Sequence, residues 1–219
     1  MSQTISFLLL EASFETLYMV AIASILATLV GLPLGVLLYV TRKGHILEKP
    51  FLHQALAALI NITRSIPFII LMIAVIPFTR LIVGTSIGTN AAIVPLSLAA
   101  MPFIARIVES ALLETNKGLI EAALAMGATP WQIIRKVLLP EAFPSIINGL
   151  TLTIVSLVGY SAMAGAVGGG GLGDLAIRYG YQRFNISVML ITIIIMIVLV
   201  QTIQFCGDTL VKRFSHFRG

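Results

Sequence analysis

Long apolar runs, broken by short clusters of charge, set the pattern of this chain. A bilayer-spanning helix needs about 20 mostly apolar residues at ~1.5 Å each. Runs at 17–40, 55–78, 88–108, 146–167 and 186–206 meet that length and predict five spanning helices in an all-α integral membrane fold. The second run carries one charge, Arg64, near its start. The segment ahead of the first run has no basic stretch and holds Glu11 and Glu15, so it does not read as a cleavable leader.

Composition supports the same class. Of 219 residues, 58% are hydrophobic and 11% charged, against about 25% charged in soluble domains. The mean hydropathy is +1.02. A soluble enzyme, a disordered linker and a disulfide scaffold are excluded, the last because Cys206 is the single cysteine. A net charge of +5 could point to nucleic acid, but the basic residues are scattered between apolar runs, so basic loops beside a membrane explain it better. With five spans, Arg42, Lys43, Lys49, Lys117, Arg135, Lys136, Lys212, Arg213 and Arg218 share one side, and Arg80, Arg178 and Arg183 the other. The positive-inside rule then predicts the N-terminus outside and the C-terminus, with a basic tail over 206–219, in the cytoplasm. Arg64 and Arg106 fall at cytoplasmic span ends, where they are expected to snorkel to headgroups.

The loop between spans three and four, 114–140, is not composed like a flexible linker. Leu119 to Met126 is rich in helix formers, and Gly127 suits a left-handed cap at its end. Thr129 offers an N-cap, Pro130 fits the first helical position, and Gln132 completes a capping box. Ile133, Ile134, Val137 and Leu138 form an apolar stripe, and Pro140 is expected to end this second helix. Two short helices meeting at a glycine read as a docking element at the membrane surface, or as interfacial helices without a partner.

Within this loop Glu121, Ala122, Ala123, Gly127, Val137, Leu139 and Pro140 resemble the EAA motif of bacterial type I ABC importer permeases, with Val137 in place of the usual Ile. The resemblance covers about 12–205 and implies a five-span permease core. It assigns ATPase coupling to Glu121, Ala122, Ala123, Gly127 and Pro140. The stretches 64–71, 76–80, 83–88 and 158–163 are similar to the methionine-uptake permeases of that family, which implies L- or D-methionine, or both, as cargo. The resemblance further implies a homodimer docked on two copies of a separate ATPase that holds ATP and Mg, and a periplasmic or lipid-anchored substrate-binding protein. Another amino acid or a small peptide is the alternative cargo. A stand-alone carrier or channel is the alternative from another class.

Other chemistry is poorly represented. The chain lacks a Gly-x-x-x-x-Gly-Lys-Ser/Thr phosphate loop, and the run Gly168–Gly171 matches a dinucleotide pattern only because it is nearly all glycine. No acid falls at a span centre, unlike ion-coupled carriers, and His45, His53 and His216 all lie in cytoplasmic segments. The expectation is a chain with no catalytic residues, no metal site, no cofactor of its own and no nucleic-acid partner, touching membrane lipid on its outside.

A path for substrate is expected on span four. At 100° per residue, Gly149, Thr153, Ser156, Tyr160, Met163, Ala164 and Val167 share one stripe, opposite Ile147, Ile154 and Val158. Small and weakly polar residues suit either a pathway or helix packing. Thr153, Ser156, Tyr160 and Met163 are the candidate pathway residues, with Met163 as an apolar gate. In span one, Gly31-x-Pro33-x-Gly35 is expected to permit close packing.

Overall fold

The structure, a computed structural model, describes residues 2–215; Arg218 and His216 lie outside the described residues. Ten α-helices are formed among them. These are α1 (Ser2–Thr41), α2 (Pro50–Ser65), α3 (Phe68–Ala74), α4 (Ile76–Val83), α5 (Thr89–Leu113), α6 (Lys117–Ala125), α7 (Pro130–Ile133), α8 (Leu139–Gly165), α9 (Gly171–Leu175) and α10 (Ile186–Ser215). Four helical segments are long and apolar enough to cross a bilayer, and the bent pair α2–α3 reaches the same length and apolarity when its two helices are taken together.

The boundaries depart from the apolar runs in three places. Helix α1 begins well before residue 17, because Glu11 and Glu15 ride on the helix rather than ending it. The expected second span, 55–78, is not one helix. Ile66 precedes Pro67 and takes an extended conformation (φ −81°, ψ 123°), since the proline ring disfavours a helical residue before it. The axis turns by 101° between α2 and α3, and α4 is separate again. Helix α10 continues into the segment read as a tail.

Helix α5 is the centre of the bundle, with Leu96, Ile104, Ala105, Val108 and Leu112 buried along its length. Helix α1 approaches it closely through two glycines. A Cβ on Gly31 would stand 2.8 Å from Ile104 Cβ, and one on Gly35 would stand 2.5 Å from Val108 Cβ. Helix α8 packs on the same helix through Gly149, where a Cβ would meet Ile107 Cγ2 at 2.1 Å. In lipid a helix pair gains little from burying apolar surface, so close backbone approach through small residues carries much of the association. Four buried hydroxyls return to their own helix: Thr16, Ser97, Thr153 and Thr192 each donate to a carbonyl four residues back. That leaves no unpaired donor at those positions, as a hydrocarbon setting demands.

At the end of the bundle away from α6, the glycine run folds over α1. Gly168, Gly170 and Gly171 all have positive φ, and the Gly88 amide donates to the Gly168 carbonyl at 2.8 Å. Gly169 and Gly171 are buried against protein, and Gly168 and Gly170 are half-buried.

Candidate functional site: the α6–α7 loop and the open face of α8

Every turn of the α6–α7 loop has a local cause. Asn116 caps α6 by accepting from the Gly118 amide at 2.9 Å. Gly127 follows the helix with φ +77°, its amide donating to Leu124 and the Ala128 amide to Ala123. This pair of bonds is a Schellman cap, which needs a left-handed residue at the position of Gly127. Thr129 and Gln132 then form a reciprocal capping box at the start of α7.

Pro140 does not end the second helix. The chain continues helically from Pro130 to Gly165, with a wide turn over Ile134–Leu138. In that turn the Leu139 amide reaches back five residues to the Ile134 carbonyl. A π turn widens the ladder just where the proline ring would strike the carbonyl four residues back, and Pro140 itself has no amide to satisfy.

The loop presents one face and buries the other. Ala123, Ile133, Ile134 and Leu138 join the main core, fixing both helices on the bundle. Glu121 and Ala122 are exposed beside Leu119, Leu124 and Met126, the last 81% exposed. Glu121 makes no hydrogen bond or ion pair among the described residues. Its side of α6 borders a cavity of about 590 Å3, lined also by Lys43, His45 and Lys117. His45 packs edge-on against Tyr39, with ring centroids 4.4 Å apart. Burial, then the positive charges of Arg42 and Lys117, hold its pKa below the ordinary histidine value.

The expected stripe on α8 divides between two faces. Gly149, Thr153 and Ala164 are buried in the chain's own core, Gly149 against Ile107. Tyr160 stacks on Phe68 of α3, with centroids 4.7 Å apart and an 8° interplanar angle. Thr153 and Tyr160 therefore serve packing in this protomer. Ser156, Met163 and Val167 are exposed, and Asn148, Leu152 and Gly159 complete the open face. Val158, read as the far side, is core at 1% exposure.

Where that open face reaches the α6 end, it meets a polar groove of about 380 Å3 lined by Arg64, Phe103, Arg106, Ser110, Glu114, Ser145 and Asn148. Arg106 does not reach outward as expected. It pairs with Glu109 at 2.5 Å, a residue only 2% exposed, and donates to Asn61 Oδ1 at 2.7 Å. Arg64 lies over the Phe103 ring at 4.7 Å. The Arg106–Glu109 pair has a sequence signal, the three-residue helical spacing. Asn61, 45 positions away, has none. Among the described residues no group of three or more His, Cys, Asp or Glu is arranged to hold a metal ion.

Four long apolar helices and a bent fifth pair, carrying a two-helix loop at one end, form the plan of a transport permease. The chain belongs to the family described as binding-protein-dependent transport system inner membrane component, whose model matches residues 31–216. It is 61% identical over 209 residues to a probable D-methionine transport system permease protein MetI of Vibrio cholerae, covering 95% of this chain and 93% of that protein. It is 58% identical over 165 residues to the D-methionine transport system permease protein MetI of Escherichia coli K12, covering 75% and 76%. Its fold superposes with a TM-score of 0.96 on a chain of the inward-facing MetNI methionine ABC transporter, at 55% identity over 98% of this chain and 99% of that one. An amino acid ABC transporter solved with histidines shares the fold at a TM-score of 0.79 and 18% identity. The chain is thus a multi-pass inner-membrane permease with the type I ABC importer fold.

Proposed function

We propose that the chain is the membrane-spanning subunit of an ATP-driven methionine importer, working as a homodimer on two copies of a separate ATPase. The observation that carries this reading is likeness along nearly the whole chain, at 55% identity, to a subunit of the MetNI methionine ABC transporter. The exposed face of α6, with Glu121, Ala122 and the apolar Leu119, Leu124 and Met126, suits a groove on the ATPase. Gly127 and the turn before Pro140 hold that face rigidly to the bundle, so movement of the docked ATPase is passed to α8. ATP and its Mg belong to the partner, and a separate binding protein delivers substrate at the other end.

The Arg42–Lys49 loop borders the same cavity as α6, and Arg178 and Arg183 follow α9 near the glycine run. The basic excess at the α6 end supports a cytoplasmic loop, an N-terminus outside and a cytoplasmic C-terminus. The path runs along the open face of α8, past Met163 and Ser156, and leaves through the polar groove at Asn148 and Arg64.

Uptake of radiolabelled methionine into proteoliposomes, with and without the ATPase subunit and ATP, tests this reading. Uptake that needs both, and that other amino acids do not outcompete, is expected. Flux without the ATPase would make the chain a stand-alone carrier, and preference for another amino acid would overturn the cargo.

A further inference from the structure

The α6–α7 loop has a second surface, which faces α1. Leu32, Val36 and Val40 of α1 face Trp131, Ile134 and Arg135 across an open groove of about 490 Å3. Trp131 is 67% exposed at one wall. Arg135, also exposed, makes no ion pair or hydrogen bond among the described residues.

From Leu32 to Val40 the groove follows roughly 12 Å of helix. A water-soluble ATPase cannot follow it into the apolar depth of α1. Beyond it, α1 exposes Ile25, Leu26, Leu29 and Val30 beside Ala21, a mostly bulky apolar face that gives a helix of a second copy little room for close approach. Trp131 at the mouth is an interfacial side chain, apolar in body with one polar N–H. Arg135 stands beside it as a cation at the leaflet where anionic lipids collect, taking the orientation proposed above.

We propose that this groove is a binding site for an anionic phospholipid. One acyl chain lies between α1 and α7, and the phosphate is held by Arg135. Lipid charge would then act directly on the helix that anchors the coupling loop.

Trp131 is the only tryptophan in the chain, which makes it a built-in probe. The full chain is reconstituted in phosphatidylcholine nanodiscs containing increasing fractions of dibrominated phosphatidylglycerol, or of dibrominated phosphatidylcholine. Brominated chains quench tryptophan only at contact. The anionic lipid should quench at a mole fraction about fivefold lower than the zwitterionic one, the size expected of one basic residue near an anionic surface. Arg135→Gln should bring the two curves together, whereas Arg183→Gln, at the other end of the bundle, should leave them apart. Coincident curves in the unmodified chain would mean ordinary annular lipid and overturn the proposal. Absence of quenching by either would mean that protein, such as a second copy, covers the groove, and would overturn it equally.

Discussion

Glu15 Oε2 accepts a hydrogen bond from the Gly171 amide at 2.7 Å, joining two positions 156 residues apart. The next residue, Thr16, accepts from the Leu172 amide at 2.9 Å. Two consecutive side chains of α1 therefore cap the first amides of α9. Gly171, at φ +74°, leaves room for the approach, since a Cβ there would stand 2.6 Å from Thr16 Oγ1. Thr16 is buried, so Thr16→Val leaves an amide unpaired, at a cost of about 1–3 kcal/mol. A lower unfolding midpoint in detergent is expected for Thr16→Val, with a smaller change for Glu15→Gln, which keeps an acceptor oxygen. Equal midpoints for Thr16→Val and the unmodified chain would remove the clasp from the account of stability.

Gly127 separates local strain from crowding. No atom lies within 4 Å of where its Cβ would be, so the only obstacle to a side chain is φ +77°. A left-handed residue costs an ordinary side chain about 1–2 kcal/mol, and more if β-branched. Gly127→Val should leave membrane insertion intact while reducing co-purification of the ATPase and ATP-driven uptake. Gly127→Asn, which tolerates this conformation, should retain most of both. Full uptake by the valine variant would detach the cap from coupling.

His45 gives the loop end a pH dependence of definite sign. Its pKa lies below 6.5 in the folded chain through burial and through Arg42, Lys117 and His53, with Glu109 opposing. The unfolded chain thus takes up the proton first as pH falls. Stability is fully present above pH 6.5 and declines as pH drops from there through the lowered value of His45. His45→Gln should flatten the fall in unfolding midpoint as pH drops below 6.5. An unchanged slope in that variant would assign the acid loss to other groups.

The features readable in advance were those decided within a few residues. Gly127, Thr129 and Gln132 each act within a few positions, so the end of α6 and the cap of α7 follow from spacing; the Asn116 cap of α6 is equally local, though the sequence reading passes over it. The break at Ile66 was equally local, written in Pro67, but a window averaging hydropathy over 55–78 passes straight across it. Glu15 stopped the first run as a charge in an apolar window; its partner at Gly171 lies across the fold. Pro140 read as a helix end because the sequence does not reveal the π turn that absorbs it. The α8 stripe divides between a covered and an open side. Angles around a helix do not show which side Ile107 and Phe68 will cover.

That shift of face changes how the pathway is tested. Ser156 is exposed on α8, and its hydroxyl is already satisfied by the Leu152 carbonyl at 2.9 Å, so bulk there displaces no hydrogen-bond partner and enters no core of this chain. Ser156→Phe should block methionine uptake while the ATPase still co-purifies and the dimer persists. Val158 cannot serve as the opposite-face control: it is buried in the core, and Val158→Phe should lower stability by about 1–3 kcal/mol through overpacking. Leu29→Phe is the proper comparison, since Leu29 is 67% exposed on the apolar face of α1 and should leave both assembly and uptake unchanged. If instead Ser156→Phe separates the dimer, its face is a contact between copies, where small side chains let helices approach. Normal transport by Ser156→Phe would move the path off α8 altogether.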